Sequence, residues 1–276
     1  MKKTLLLQLA FVIFGLGIIF YLFTRPKFTV EDHNLSDVPQ EQSHDVEKEP
    51  EMHSVADQKI IDHAKKVTAV YNTISNTKEK LIFADSLGEL YFNAFEYDSA
   101  AKYFDIVVSL NDKDVNLYKA GLANYEAFKS QQVQALRHDY AMRAKSYFDN
   151  YLAEHPNAED VMVKKAVLMV NTETPPMGGI NLLREIIRKN PSNAEALESL
   201  GEFQFTIQKY EKAIVQFSQV VALDEDNDKA LMYLIWSYKA LGDVENAKLC
   251  LNKIQKLDIQ DLYMKSLIEK EAATLN

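Results

Sequence analysis

The sequence predicts an all-helical fold, a solenoid of stacked helix pairs preceded by one transmembrane helix and a disordered acidic linker. Three observations carry this. A small residue recurs at Ala100, Ala144, Gly179, Ala213 and Ala247, at intervals of 44, 35, 34 and 34, and self-similarity at such a period marks a repeat array. Each is followed four residues on by Phe104, Phe148, Leu183, Phe217 or Leu251, and three further by Val107, Tyr151, Ile186, Val220 or Ile254, the spacing of one helix face. Ahead of the array, the nineteen residues from Leu5 to Phe23 carry no charge, and residues 31–51 then hold eight acidic residues against one lysine.

Taken in order, residues 1–4 are a short tail and residues 5–23, LLLQLAFVIFGLGIIFYLF, are a transmembrane signal anchor. At about 1.5 Å rise per residue the run gives roughly 28 Å of helix, close to the hydrocarbon thickness of a bilayer. Gly15-Leu16-Gly17 offers a small-x-small cleavage site. Cutting there would leave IIFYLF as a wholly apolar amino terminus, so a retained anchor is the better reading. Lys2 and Lys3 precede the run and Arg25 and Lys27 follow it, a slight asymmetry. The MKK start before a long apolar run resembles a bacterial signal anchor. The expectation is therefore a single-pass inner-membrane protein with a cytoplasmic amino terminus and a periplasmic domain. Residues 24–53 are a self-repelling linker with too little apolar surface to order itself. His33, His44 and His53 within it are too far apart for a compact metal-ligand set.

The array follows. Residues 54–80, with Ile60, Ala64, Val67, Tyr71 and Ile74 at helical spacing, read as an amino-terminal capping helix. Five units occupy 81–261, namely 81–114, an expanded 115–158, 159–193, 194–227 and 228–261, and residues 262–276 form a carboxy-terminal capping helix. Twelve residues before the small position stand Gly88, Gly201 and Ile235, each after a leucine, with Tyr91 and Tyr238 three further on; Pro156 and Pro191 close two units. These residues resemble the tetratricopeptide repeat, W-x2-L-G-x2-Y, then A-x3-F, then P, in 34 residues. The best unit, AEALESLGEFQFTIQKYEKAIVQFSQVVALDEDN (194–227), departs at Gln204 and Glu225, and the last unit has Ile235 where glycine is usual. The resemblance implies a right-handed superhelix whose helix pairs pack closely through small residues. That explains Gly201, which sits inside the helical run Leu197, Leu200, Phe203, Ile207 although glycine costs a helix about 1 kcal/mol relative to alanine. Gly242 supplies the turn of the last unit. In the second unit, SQQVQALRHDY adds helical turns or a protruding loop between Gly121 and Ala144.

Chemistry is sparse. The net charge of −9 and the lack of a basic stripe argue against nucleic-acid binding. The single Cys250 rules out a disulfide framework and any multi-cysteine metal site. Asp224-Glu225-Asp226-Asn227-Asp228 opens like a calcium loop, but Lys229 and Ile235 stand where that loop needs glycine and glutamate, so it reads as an inter-repeat turn. No metalloprotease, nucleophile-elbow or phosphate-loop motif is present. No cofactor and no catalysis are expected. The alternative reading is an enzyme with its site in the 130–141 insertion, around Arg137, His138 and Asp139.

The expected function is a non-catalytic, membrane-tethered scaffold that binds a protein or peptide in the groove of the solenoid, with the same scaffold facing the cytoplasm as a further alternative. By resemblance, the second, fifth, ninth and twelfth places of a unit face the concave side. These give Asp85, Glu89 and Phe92 in the first unit, Glu195, Glu198, Glu202 and Phe205 in the fourth, and Met232, Trp236 and Lys239 in the fifth. The lysine and asparagine clamp of the chaperone-binding relatives is not matched. Acids beside aromatic surface favour a basic or amphipathic partner segment.

Overall fold

Apolar spacings of three and four become helices throughout Val55–Leu275, the residues that the computed structural model of the chain describes. The expected span 5–23 and linker 24–53 lie outside the described residues. Among the described residues no helix is long and apolar enough to cross a membrane. Twelve helices and no strands are present among them. They are α1 (Val55–Tyr71), α2 (Thr77–Asn93), α3 (Tyr97–Leu110), α4 (Asp114–Ser130), α5 (Gln134–Glu154), α6 (Glu159–Thr172), α7 (Met177–Lys189), α8 (Ala194–Thr206), α9 (Tyr210–Leu223), α10 (Asp228–Ala240), α11 (Val244–Ile254) and α12 (Leu262–Leu275).

Each helix packs on its neighbours in the chain, and α8 also touches α6 and α10. The helices therefore form antiparallel pairs, α2 with α3 through α10 with α11, stacked so that the first helices of successive pairs lie side by side. Three of the five turns inside pairs share one closure. Phe95, Gln208 and Gly242 have φ of 60°, 59° and 77°, and the next N–H reaches back to Tyr91, Gln204 and Tyr238 at 3.0, 2.8 and 2.9 Å. This is the left-handed helix ending that favours glycine, used here twice without it. Two of the four turns between pairs are capped by asparagine. Asn193 and Asn227 accept from Ala196 and Ala230 N–H with their oxygens at 2.9 and 2.7 Å. Their amide nitrogens donate back to Glu159 and Glu198 of the preceding unit at 3.1 and 3.0 Å. The acidic run at 224–228 is thus an inter-repeat turn, and among the described residues no group of acids, histidines or cysteine could hold a metal.

Packing inside each pair follows a size rule. A Cβ on Gly88, Gly121 or Gly201 would stand 2.6, 2.5 or 2.9 Å from the ring of Phe104, Phe148 or Phe217. Where the partner is leucine the small residue is relaxed: Ala166 shares a core with Leu183, and Ile235 with Leu251. In the third pair the close approach moves to the second helix, where a Cβ on Gly179 would meet the Ala166 carbonyl oxygen at 2.4 Å. Glycine is needed opposite phenylalanine, and Ile235 is no anomaly. The insertion in the second unit forms no loop. It lengthens both helices, α4 to 17 and α5 to 21 residues.

Candidate functional site

The first helices α2, α4, α6, α8, α10 and α12 face one another through polar side chains. Lys119 of α4 reaches Asp85 and Glu89 of α2, each at 2.8 Å. Tyr118 donates to Asp160 of α6 at 3.3 Å. Lys164 of α6 pairs with Glu195 of α8 at 2.9 Å. Lys229 of α10 pairs with Glu202 at 2.7 Å and approaches Glu198 at 3.9 Å. At the last step, as between α6 and α8, the lysine lies on the earlier helix. Lys239 of α10 binds Glu271 of α12, whose other oxygen accepts from Trp236 Nε1 at 3.1 Å. Six carboxylates (Asp85, Glu89, Glu195, Glu198, Glu202, Glu271) thus meet four ammonium groups (Lys119, Lys164, Lys229, Lys239), and Asp160 meets a hydroxyl, which leaves these contacts acidic but stitched together.

Titration follows the packing. Burial pushes the Glu198 carboxyl above its usual range, against the pull of Lys229 and Asn227 and helped by Glu202 and Glu195. Burial works against the charge on Lys119, but the hydrogen bonds it donates to Asp85 and Glu89 overcome that and raise its pKa.

The expected groove residues divide into three groups. Asp85, Glu89, Glu195, Glu198 and Glu202 lie on the predicted face, yet all are engaged by the neighbouring unit rather than free. Phe92, Phe205 and Trp236 are half-buried. Phe205 sits 6.1 Å from Trp236 and 5.2 Å from Tyr233, centroid to centroid, so these rings form an aromatic patch between α8 and α10. Met232 corrects the expectation: it is fully buried in the core with Met264 and Ile268 of α12. The fifth place of a unit looks toward the next first helix, and in the last unit the facing residues of that helix, Met264 and Ile268, are apolar.

Sequence reasoning missed Lys119, Lys164, Lys229, Tyr233 and Glu271. For Lys119 and Lys229 the available signal was a lysine early in the first helix one unit along from a glutamate or aspartate, as Lys119 stands 34 residues after Asp85. The insertion residues do not converge. Asp139 is held by Arg143 at 2.9 Å, itself bound to Asp105, while His138 is exposed and Arg137 lies over the Phe128 ring. Burial raises the Cys250 thiol, which disfavours the reactive thiolate.

Helix pairs with this register, closure and glycine–aromatic packing define a tetratricopeptide-repeat protein, a class that serves as protein-binding scaffolds. The profile of the ChAPs family, the Chs5p-Arf1p-binding proteins, matches residues 56–274, and the chain belongs to that family. Anaphase-promoting complex subunit 7 of Mus musculus is 31% identical over 117 residues, 42% of this chain and 20% of that protein. The human subunit is 30% identical over 117 residues, so the match spans about a fifth of these curated relatives. Among solved structures, a tetratricopeptide repeat protein from Parabacteroides merdae is similar with TM-score 0.55 and 15% identity, over 79% of each chain. TTC0263 of Thermus thermophilus is similar with TM-score 0.52 and 16% identity, over 70% of this chain and 99% of that one. At these identities the structural likeness speaks to fold alone.

Proposed function

We propose that the chain is a membrane-tethered scaffold that holds a basic or amphipathic segment of a partner protein against its first helices. The observation that carries the reading is the joint surface of α8 and α10, where Phe205 and Trp236 form a half-buried aromatic patch beside the excess carboxylates of Glu198 and Glu202. Aromatic anchors supply the binding free energy, and the charge steers and orients the partner. The names of the family and of the matched relatives, which describe binding proteins and a complex subunit, support protein binding as the role. Tethering rests on the apolar run 5–23. Placement on the extracytoplasmic side of a bacterial inner membrane rests on its resemblance to a signal anchor.

The test is capture of partners by the full chain solubilised from membranes, followed by binding measurements on the captured partner. Trp236→Ala and the double variant Glu198→Lys/Glu202→Lys are each compared with the parent at two salt concentrations. Weakened binding in both, with the charge variant less salt-dependent, is the expected result. Unchanged affinity in both, without salt dependence, would remove the groove assignment. A carboxy-terminal reporter active only in the cytoplasm decides orientation, and its activity would reverse the periplasmic placement.

A further inference from the structure

A surface cavity of about 140 Å³ lies between the end of α4, the start of α5 and the end of α6, lined by Phe128, Gln134, Arg137, His138, Asn171 and Thr172. A single ordered water needs roughly 10–15 Å³ by the same measure, so a group of several heavy atoms fits. The guanidinium carbon of Arg137 stands 4.9 Å from the centroid of the Phe128 ring. Phe128 is buried in the core with Phe148 and Leu168, so the arginine rests on a rigid platform that favours one orientation of its planar fork.

Arg137 differs from the cations of the first-helix face. Lys119, Lys164, Lys229 and Lys239 each meet a carboxylate, whereas no carboxylate of the described residues lies within ion-pair distance of Arg137. The nearest in sequence, Asp139, is taken by Arg143 at 2.9 Å. In a chain of net charge −9, an ordered guanidinium at the wall of a polar cavity and without an acid partner is unusual. The remaining lining adds donors. Asn171 gives one amide N–H to Val167 O at 2.8 Å and keeps the second, and the amide of Gln134 and the ring of His138 stand beside it. Thr172 contributes no donor, since its hydroxyl is spent on Leu168 O at 2.8 Å. Val133 and Leu136, next to the lining residues in sequence, are exposed.

We propose that this cavity recognises an oxyanion, a phosphoryl or carboxylate group on a partner segment. Arginine binds such groups through two parallel hydrogen bonds, and the amides of Gln134 and Asn171 complete the ring of donors. The insertion in the second unit then has a role: the start of the extended α5 carries Gln134, Arg137 and His138 to the ends of α4 and α6. This site is separate from the α8–α10 surface and stands or falls without it.

The probes are inorganic phosphate and acetate, titrated into the full chain in uncharged detergent. Phosphorus line broadening follows the first and proton saturation transfer the second. Affinity on the order of millimolar is expected for at least one anion, as for a small ligand held by few contacts. It should weaken tenfold or more in Arg137→Gln and recover in part in Arg137→Lys. Binding of phosphate alone assigns a phosphoryl group to the partner, and binding of acetate alone a carboxylate. Circular dichroism shows that the variants are folded, and Asn171→Ala gives a smaller, parallel loss. Equal signals from parent and Arg137→Gln for both anions, or none from either, would overturn the site.

Discussion

A Cβ added to Gly201 would stand 2.9 Å from the tip of the Phe217 ring, and that ring is fully buried and stacked on Tyr233 at 4.6 Å. The ring is held on its other face and cannot swing away. The repeat pattern alone leads one to expect that alanine fits at this position and leucine does not. The contact is tighter than that expectation, so even a methyl group must displace the ring slightly. Gly201→Leu should destabilise the domain by about 1–3 kcal/mol, the range for overpacked cores, and Gly201→Ala by less. Gly121→Ala, facing Phe148 at 2.5 Å, should cost more than Gly201→Ala. Urea midpoints rank the three, and a Gly201→Leu midpoint equal to the parent's would contradict the packing role.

The carboxylate of Glu271 closes the array. It is buried, and it joins Trp236, Lys239 and Thr274. Glu271→Ala leaves the indole N–H and the Lys239 ammonium without that acceptor, a loss of about 1–3 kcal/mol for hydrogen bonds to a charged group. Amide exchange should rise across 262–275, and Trp236, the chain's single tryptophan, should shift its emission to the red. Substitution of the exposed Glu269 serves as control. If Glu271→Ala and Glu269→Ala behave alike, the closing role is refuted.

Glu198 makes stability depend on pH in a defined direction. Its carboxyl titrates above the ordinary glutamate range because burial disfavours the charge. The folded state therefore binds this proton more tightly than the unfolded chain. The contribution is fully present below the ordinary glutamate pKa and is lost as pH rises through the folded value. Glu198→Gln should then match or exceed the parent in stability at neutral pH, and the difference should close in acid. A neutral-pH midpoint well below the parent's would show that the bonds to Asn227 and Lys229 outweigh the burial.

Removal of Lys119 isolates the stitching of the first helices. In Lys119→Met, Asp85 and Glu89 are left without the ammonium that separates them, on a surface that is partly exposed. The loss should be modest, about 0.2–1 kcal/mol. It should shrink in high salt, where the repulsion between the two acids is screened. A loss that is unchanged between low and high salt would assign the effect to packing of the lysine stem instead.

Residues 54–276 alone should fold and be almost wholly helical, since the helices of the array and its two end helices lie within them. Substantial strand content in the circular dichroism of that fragment would be incompatible with the fold described.

The sequence by itself determined the helices, their pairing and the repeat, because these depend on spacings within a few residues and on one strict contact, glycine against phenylalanine, that stands at the same offset in the first and fourth units. Pairs such as Gly88 with Phe104 and Gly201 with Phe217 could be read directly from that offset. Gly242 at the left-handed turn of the last pair was legible in the same way. What lies between units was not legible, because it depends on how one pair is rotated on the next. Glu198 and Met232 occupy the same place in successive units, yet one meets Asn227 and Lys229 while the other is sealed beneath Met264 and Ile268. The acidic wall became a ladder of ion pairs for the same reason: Lys119, Lys164 and Lys229 come from the adjacent helix, about one repeat away in sequence. Only the tertiary structure brought Arg137 onto Phe128 and opened a cavity against Asn171. The angle at which α6 passes the ends of α4 and α5 is set by packing across the whole second and third units, not by any local run of residues.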